Sequence, residues 1–288
     1  MKNYVIITDS GTDFTSKMAR EYDVKIIDLM VCVEGENPVP NSKVDPKRLY
    51  AMLRNKKGIS TAAINLEDAK AAMEAQLKEG FDVLYLGFSS GLSSTFHAGQ
   101  LAAEELSAEY PDRKVYAVDT LCASLGQGLL VYFAAMMRKN GATIDEVKAF
   151  VEEKKLNLCH WFTVDDLFFL KRGGRVSGAT AVVGTMLGIK PVMHVNNEGK
   201  LIKIGVARGR KASIDALFNH MKETMEGNPE DSVVFISHGD CYVDAKYLSD
   251  RITEELGVKS VTIGYVGPVI GSHSGPGTLA LFHIGKGR

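Results

Sequence analysis

The chain has 288 residues, of which 45% are hydrophobic and 24% are charged, and its formal net charge at pH 7 is −1. This length suits one large domain or two moderate ones. The near-neutral charge argues against binding to nucleic acid or to an acidic membrane surface.

The four cysteines are too far apart for a zinc site or a disulfide framework, because they form neither a CxxC motif nor a cluster with histidine. They are Cys32, Cys122, Cys159 and Cys241. The N-terminal apolar run is too short for a signal peptide, and the longest apolar stretch, Leu129 to Met137, is too short to span a membrane. We therefore expect a soluble cytoplasmic protein without an integral membrane segment.

In the first half of the chain, short apolar strands alternate with amphipathic helices. This pattern is typical of a parallel sheet with helices on both faces, in which ligands bind beyond the carboxyl ends of the strands. Val24 to Val33 is predicted to form one further strand. Three predicted strands end in polar segments that we expect to be neighbours in space: Asp9-Ser10, Ser89 to Thr95, and Asp119-Thr120.

The pattern changes near Leu158. Asn196 to Gly199 predicts a hairpin turn between two strands, and Ala179 to Gly188 predicts a helix. A hairpin followed by further strands implies a mixed or antiparallel sheet. The expected fold is therefore α/β with two domains, at residues 1–157 and 158–288.

The segment Gly267 to Gly277 is unusually rich in glycine and proline, and we interpret it as a loop. It offers peptide N–H groups, two hydroxyls and the imidazole of His273, but no carboxylate and no cation. Such a loop suits a small anionic oxygen group held by neutral donors. A tight connection between two strands is the alternative interpretation.

Gly87 to Gly91 fits the G-x-S-x-G nucleophile elbow, which would make Ser89 an acyl-transfer nucleophile with a later Asp and with His273 or His283. The same serine could equally be a polar loop residue that donates hydrogen bonds. Asp9 and Asp13 are four residues apart, and Asp13 is better interpreted as a helix cap than as a metal ligand.

No phosphate-binding loop follows a predicted strand, and the histidines lack the spacing of metal ligands, so we expect neither a cofactor nor a metal. The segment Lys171 to Arg175 places three cations around two glycines. These cations fit either a solvated helix end or a docking patch for an acidic or phosphate-bearing partner.

Taken together, these motifs resemble those of the DegV family, which includes the fatty-acid-binding subunits of bacterial fatty acid kinase. The resemblance covers essentially the whole chain. The segments that carry it are Asp9-Ser10, Ser60-Thr61, Ser89 to Thr95, Leu170 to Arg175, Lys190-Pro191 and Gly267 to Gly277.

The resemblance implies two α/β domains with one long-chain fatty acid between them. In the family, a Thr of a Ser-Thr-Ser motif and a Ser of a Leu-Ser-Gly-Thr motif hold the carboxylate, and these match Thr61 and Ser93. His273 would lie close to the head group, and Ser94 and Ser10 are further candidates for ligand contact. Here the Ser-Gln-Pro that usually follows the Thr is missing, and Ser94 replaces the usual Gly.

A fatty acid suits these residues, because neutral donors hold its carboxylate and an apolar tunnel buries its tail. Candidate tunnel residues are Ala181, Met186, Leu187, Met193 and Ala280. The implied function is a non-catalytic carrier that presents the fatty acid to a separate ATP-dependent kinase, with Arg172 and Arg175 as candidate kinase contacts. An esterase that uses Ser89, and a module that binds another anionic lipid or small acid, are the alternatives.

Overall fold

A computed structural model of the chain describes residues 3–177 and 188–288. The strands are β1 Tyr4–Asp9, β2 Val24–Ile27, β3 Met30–Val33, β4 Val39–Pro40, β5 Ile59–Ala62, β6 Asp82–Gly87, β7 Val115–Asp119, β8 Leu158–Thr163, β9 Ile189–Val195, β10 Leu201–Arg208, β11 Val233–His238, β12 Ser260–Tyr265 and β13 Leu279–Ile284.

Helices occupy most of the connections between these strands. Their bounds are Ser16–Tyr22, Pro46–Arg54, Leu66–Lys78, Thr95–Glu109, Ser124–Lys139, Ile144–Lys154, Phe168–Arg172, Arg210–Thr224, Tyr242–Leu256 and Pro268–Ser274. Within the described ranges, none of the helices is long and apolar enough to cross a lipid bilayer.

The first sheet has the strand order β2-β1-β6-β7, and all of its strand pairs are parallel. Neighbouring residues of β1 belong to different cores, because successive side chains of a strand point to opposite faces of the sheet. Ile7 packs with Met73 of the Leu66–Lys78 helix, whereas Ile6 packs with Val147 of the Ile144–Lys154 helix. Helices therefore cover both faces, which confirms the parallel α/β sheet predicted from the sequence.

The second sheet has the order β10-β9-β8-β13-β11-β12. The β11–β12 pair is parallel and the other four pairs are antiparallel, so the predicted mixed sheet is confirmed. The predicted hairpin joins β9 to β10, and Gly199 takes the positive φ of 71° that its turn requires.

The Ser124–Lys139 helix lies between the two large sheets. Val131 packs in the core of the parallel sheet, whereas Leu129 packs in a core that includes Phe235 and Phe282 of the mixed sheet. The division at residues 157 and 158 stays a prediction.

A small third sheet, β4-β3-β5, is antiparallel and was not expected. It arises because the predicted strand Val24 to Val33 is interrupted at Leu29. The Leu29 N–H donates to the hydroxyl of Ser10 (2.9 Å) and is therefore not free to continue the ladder. The chain then joins a different sheet through β3, and β3 pairs with β5, the strand that carries Thr61.

The prediction of a loop over Gly267 to Gly277 is wrong for most of its length, because Pro268–Ser274 is a helix. Pro268 occupies the first helical turn, where its missing N–H costs no hydrogen bond, and Gly275 ends the helix with a φ of 81°. The buried Tyr50 and the half-buried Asn41, from the first part of the chain, anchor it. Tyr50 donates to the Val266 carbonyl (2.8 Å), and Val269 N donates to Asn41 Oδ1 (3.0 Å).

The three polar strand ends meet as predicted. Asp9 lies at the centre of this cluster, where its carboxylate accepts from Phe88 N (2.8 Å), Tyr85 OH (2.9 Å) and Gly11 N (2.9 Å). Ser90 N donates to Asp119 Oδ1 (3.2 Å), which ties the second polar segment to the third.

We expect Asp9→Asn to lower the free energy of unfolding by about 1–3 kcal/mol. The amide replaces one buried carboxylate oxygen, which accepts hydrogen bonds, with an NH₂ group that faces other donors. Urea denaturation monitored by circular dichroism measures this change. Asp28→Asn is the control, since Asp28 accepts only from Ser42 at a partly exposed site. Equal, small effects of the two substitutions would contradict the prediction.

Candidate functional site

A cavity of about 260 Å³ lies between the parallel and mixed sheets. Its volume is slightly below the range for small-molecule sites, about 300–1,000 Å³. Most of its wall is apolar. The apolar lining residues are Leu29, Ala63, Phe88, Leu92, Ala123, Phe162, Leu170, Val195, Leu201, Val266, Val269, Ile270, Ala280 and Phe282.

Thr61 and His273 form a hydrogen-bonded pair on the cavity wall, with 2.7 Å between Thr61 Oγ1 and His273 Nε2. β5 supplies Thr61, and the last turn of the Pro268–Ser274 helix supplies His273. A surface depression of about 580 Å³ shares Thr61, Arg175 and His273 with the cavity. The polar part of the cavity wall therefore adjoins the protein surface.

Gly173 allows the His273 ring to lie where it does. A Cβ atom built on Gly173 would overlap His273 Nδ1, so any side chain at this position displaces the imidazole. This requirement gives the glycine between Arg172 and Arg175 a structural role in the site.

His273 is neutral at pH 7, because burial, together with the positive charges of Arg175 and Arg172, lowers the pKa of its imidazole to about 4. A neutral imidazole donates from one ring nitrogen and accepts at the other. The Thr61–His273 pair therefore offers neutral hydrogen-bonding groups to a ligand.

Two arginines provide positive charge next to this pair. Arg175 lines the cavity and donates to the carbonyls of Leu92 (3.1 Å) and Gly173, and Arg172 donates to the Ser272 carbonyl (3.4 Å). Carbonyl oxygens do not neutralise a guanidinium, so the polar part of the cavity favours an anion.

Ser93 and Ser94 also line the cavity, at the start of the Thr95–Glu109 helix. Ser93 Oγ donates to Thr95 Oγ1 (2.9 Å), whereas Ser94 is exposed and its side chain makes no capping hydrogen bond. The free N–H groups and the dipole of a helix N-terminus favour negative charge. The structure thus brings Thr61, Ser93, Ser94 and His273 to one cavity.

Ser10 is not among the residues that line this cavity. It is buried, and its hydroxyl accepts from Leu29 N, so it positions a lining residue without reaching the cavity itself. Of the candidate tunnel residues, Ala280 lines the cavity and Met193 is buried in the adjoining core. Ala181, Met186 and Leu187, with most of the predicted helix Ala179 to Gly188, lie outside the described residues.

The structure does not support a catalytic triad at Ser89. The buried Ser89 hydroxyl donates to the Gly199 carbonyl (2.8 Å) and so holds the β9–β10 turn. The two candidate histidines have other partners: His273 pairs with Thr61, and His283 Nε2 accepts from Trp161 Nε1 (3.4 Å).

The remaining buried polar groups of the wall are mostly satisfied within the protein. Thr278 donates to the carbonyls of Ser274 (3.0 Å) and Gly275 (2.8 Å). His160 Nε2 accepts from Ala123 N (3.3 Å), and its Nδ1 lies 3.1 Å from the Leu158 carbonyl. Burial lowers the pKa of His160 well below its usual range, so this ring is neutral as well. These groups leave an interior that suits a hydrocarbon.

The sequence did not predict the roles of Leu29 and His160 in the cavity wall or of Gly173 beside His273. It predicted Arg175 only as a contact for a partner protein. Leu29 and His160 follow from strand register and packing, which local patterns do not specify. Gly173 carried a signal, since a glycine inside a cationic segment marks a close approach of the backbone to another group.

We predict that the imidazole of His273 does not titrate between pH 5.5 and 8. In Arg175→Gln its pKa should rise from about 4 towards 6.5, because one of the charges that oppose protonation is removed. The rise should be partial, since burial is the larger cause. Nitrogen-15 NMR of the histidine ring measures both titrations. Arg54→Gln, which removes a cation bound to Asp240, is the control and should leave His273 unchanged.

The chain matches known proteins over almost its entire length. A family model described as "Uncharacterised protein, DegV family" matches residues 3–286. A DegV domain-containing protein of Clostridium perfringens is 44% identical, over 99% of this chain and 98% of its own. One from Streptococcus pyogenes is 34% identical, over 98% of each chain.

Solved structures show the same fold. A DegV family protein from Thermus thermophilus, described by its fatty acid binding, superposes with a TM-score of 0.89 at 29% identity, over 98% of this chain and 99% of its own. A Thermotoga maritima protein, described as revealing a fatty acid binding function, has a TM-score of 0.85 at 30% identity, with the same coverage. These matches show that the chain belongs to the DegV family.

Proposed function

We propose that this protein binds one long-chain fatty acid in the cavity between its two large sheets. Thr61, Ser93 and His273 hold the carboxylate, with Ser94 beside them. The observation that carries the proposal is the Thr61–His273 pair, a neutral polar group at the surface-adjoining part of an apolar cavity. The fatty acid binding described for the Thermus and Thermotoga relatives supports it.

The tail supplies most of the affinity. Each buried CH₂ contributes about 0.8 kcal/mol, so some fourteen of them offer roughly 11 kcal/mol before the costs of ordering the ligand. The carboxylate adds orientation, because it meets hydroxyls and an imidazole without requiring a fully buried counter-charge. The carboxylate of a short-chain acid could bind the same polar residues, but without a long tail it would lose most of this apolar contribution to the affinity.

The protein in this proposal is a carrier without catalytic activity of its own, and it acts in the cytoplasm. The free cysteines, of which Cys122 and Cys159 are buried, suit a reducing compartment. A separate ATP-dependent kinase would phosphorylate the bound carboxylate to an acyl phosphate. The sequence supports this division of labour, since it has carboxylate-binding residues but no phosphate-binding loop of its own.

Arg172 and Arg175 are the proposed kinase contacts, and their surroundings differ. Arg172 is exposed and lines the surface depression, whereas Arg175 is half-buried and lines the cavity too. Arg172 therefore suits contact with a partner alone, and Arg175 suits contact with the ligand as well.

We expect an organic extract of the purified protein to contain one long-chain fatty acid per chain. Mass spectrometry of the extract identifies the fatty acid, and native mass spectrometry of the intact sample gives its stoichiometry. The double variant Thr61→Ala/Ser93→Ala should retain at least tenfold less, because the carboxylate loses two hydroxyl donors in an apolar site.

Ser107→Ala is the control for this experiment, since the Ser107 hydroxyl donates to the Val115 carbonyl (3.3 Å) and does not line the cavity. It should keep its fatty acid. If the double variant retains as much fatty acid as the control, the proposed head-group site is wrong. If only short acids or another anionic lipid are extracted, the ligand class is wrong.

We predict that Arg172→Glu lowers acyl-phosphate formation by a cognate kinase about tenfold or more, because reversing an interface charge weakens association. Fatty acid binding should fall much less than phosphate transfer, since Arg172 is exposed and does not line the cavity. Phosphate transfer from labelled ATP measures the first effect, and ligand titration measures the second. Arg20→Glu, at an exposed cation of another helix, is the control. Unchanged transfer in Arg172→Glu would rule out this contact.

A further inference from the structure

Asp13 is a buried carboxyl group directly behind the wall of the cavity. Its Oδ2 accepts a hydrogen bond of 2.5 Å from Ser124 Oγ, and Ser124 lines the cavity. Gly267 approaches from another side, since its N–H faces the carboxyl group and a Cβ on Gly267 would lie 2.5 Å from Asp13 Oδ1. Asp13 therefore touches two segments that build the site. It does not cap the Ser16–Tyr22 helix, as the sequence suggested, because Thr15 does so.

Among the described residues, the groups that interact with Asp13 carry no full positive charge. The Ser124 hydroxyl and the Gly267 peptide contact it, and Ser237 Oγ lies one step further, 3.0 Å from Ser124 Oγ. Tyr50, on the Pro46–Arg54 helix, is the titratable group that interacts with it, and Asp240, Cys241 and Tyr265 interact with Tyr50 from beyond. Among the described residues, Asp13 Oδ1 has no hydrogen-bond partner of good geometry.

An ionised carboxylate is costly in these surroundings, because burial without a counter-charge favours the neutral acid. Burial accordingly raises the pKa of Asp13 to about 7, and the hydrogen bonds from Ser124 and Gly267 offset only part of this rise. Both charge states of Asp13 are therefore populated near neutral pH.

The position of Gly267 links Asp13 to the head-group site. Gly267 caps the Pro268–Ser274 helix, which is seven residues long and therefore about 10 Å from end to end. The last turn of this helix holds His273 at 2.7 Å from Thr61. Asp13 therefore lies within about one helix length of the head-group pair, and its charge acts on a bound carboxylate through an apolar interior.

We propose that Asp13 is a proton-linked residue behind the head-group site, and that its neutral form favours carboxylate binding. Loss of the proton places an unpaired negative charge behind the cavity, which repels an anionic ligand. Fatty acid binding then takes up a proton, and affinity falls as pH rises, since the two equilibria are linked reciprocally. This inference rests on the proposed fatty acid binding.

The test compares the dissociation constant of palmitate at pH 6, 7 and 8 in the wild type and in Asp13→Asn. We expect the affinity of the wild type to fall about three- to tenfold from pH 6 to pH 8, within the limit of tenfold per pH unit that one linked proton allows. Asp13→Asn should bind almost equally at all three values, since its amide matches the shape of the acid and does not titrate. Asp45→Asn, an exposed helix cap that asparagine also satisfies, should keep the wild-type profile.

Equal pH profiles in the wild type and in Asp13→Asn would overturn the inference. A second measurement needs no variant: calorimetry of palmitate binding at pH 7, in two buffers of different ionisation enthalpy, should show proton uptake by the wild type. No uptake there would overturn the inference even if Asp13→Asn failed to fold.

If palmitate does not bind at any pH, the proposed function fails, and thermal unfolding of the free protein decides the protonation of Asp13. The pKa of Asp13 is higher in the folded protein than in the unfolded chain, so its contribution to stability is complete below about pH 4 and is lost as pH rises through about 7. From pH 5 to pH 8 the unfolding midpoint should therefore fall more in the wild type than in Asp13→Asn. Parallel curves would overturn the inference.

Discussion

The hydrogen bond between Thr61 and His273 joins residues 212 positions apart in the sequence, and the proposed binding site depends on it. Each partner is held by its own structural constraint. Thr61 lies on β5. This strand forms because the chain leaves the parallel sheet at Leu29 and continues as β3, which pairs with β5. His273 lies on a short helix fixed by Tyr50, Asn41 and a proline in its first turn. A change in the conformation of either segment would separate the Thr61 and His273 side chains. Local sequence could not compensate, because the two residues are distant in the chain.

The chemistry of this pair suits the proposed carrier role, in which the protein must later release its ligand. A buried lysine or arginine would hold a carboxylate more strongly, but it would stay unpaired whenever the cavity was empty, at a high cost in free energy. Thr61 and neutral His273 satisfy each other without ligand, so the empty site carries no such penalty. Arg175 attracts an anion electrostatically while it keeps its hydrogen bonds to the Leu92 and Gly173 carbonyls. Arg172 is exposed, so its charge remains solvated and has a small desolvation cost.

Much of the fold was predictable because it follows from local patterns. The polar residues at the ends of β1, β6 and β7 mark the carboxyl edge of a parallel sheet, and the turn at Gly199 marks the hairpin of the mixed sheet. Thr61, Ser93, Ser94 and His273 were predicted from resemblance and do line one cavity. The helix that begins at Pro268 was predicted as a loop, because glycine and proline are frequent in loops as well as at a helix cap and in a first turn. Ser10 was misplaced because its hydroxyl turns to a backbone N–H that only the tertiary fold brings near.

Ser89 shows why a short motif needs its surroundings before it carries a function. Its strand-to-helix position matches a nucleophile elbow, yet Gly91 lies so close to the β9–β10 turn that a Cβ there would come within 2.5 Å of the Glu198 carbonyl. Gly91 therefore admits a neighbouring backbone where a nucleophile elbow would expose its serine to substrate. Val195 and Leu201, on either side of that turn, both line the cavity. The hydroxyl of Ser89 thus contributes to the cavity by holding one of its walls in place, and the same residues that suggested catalysis are explained by packing.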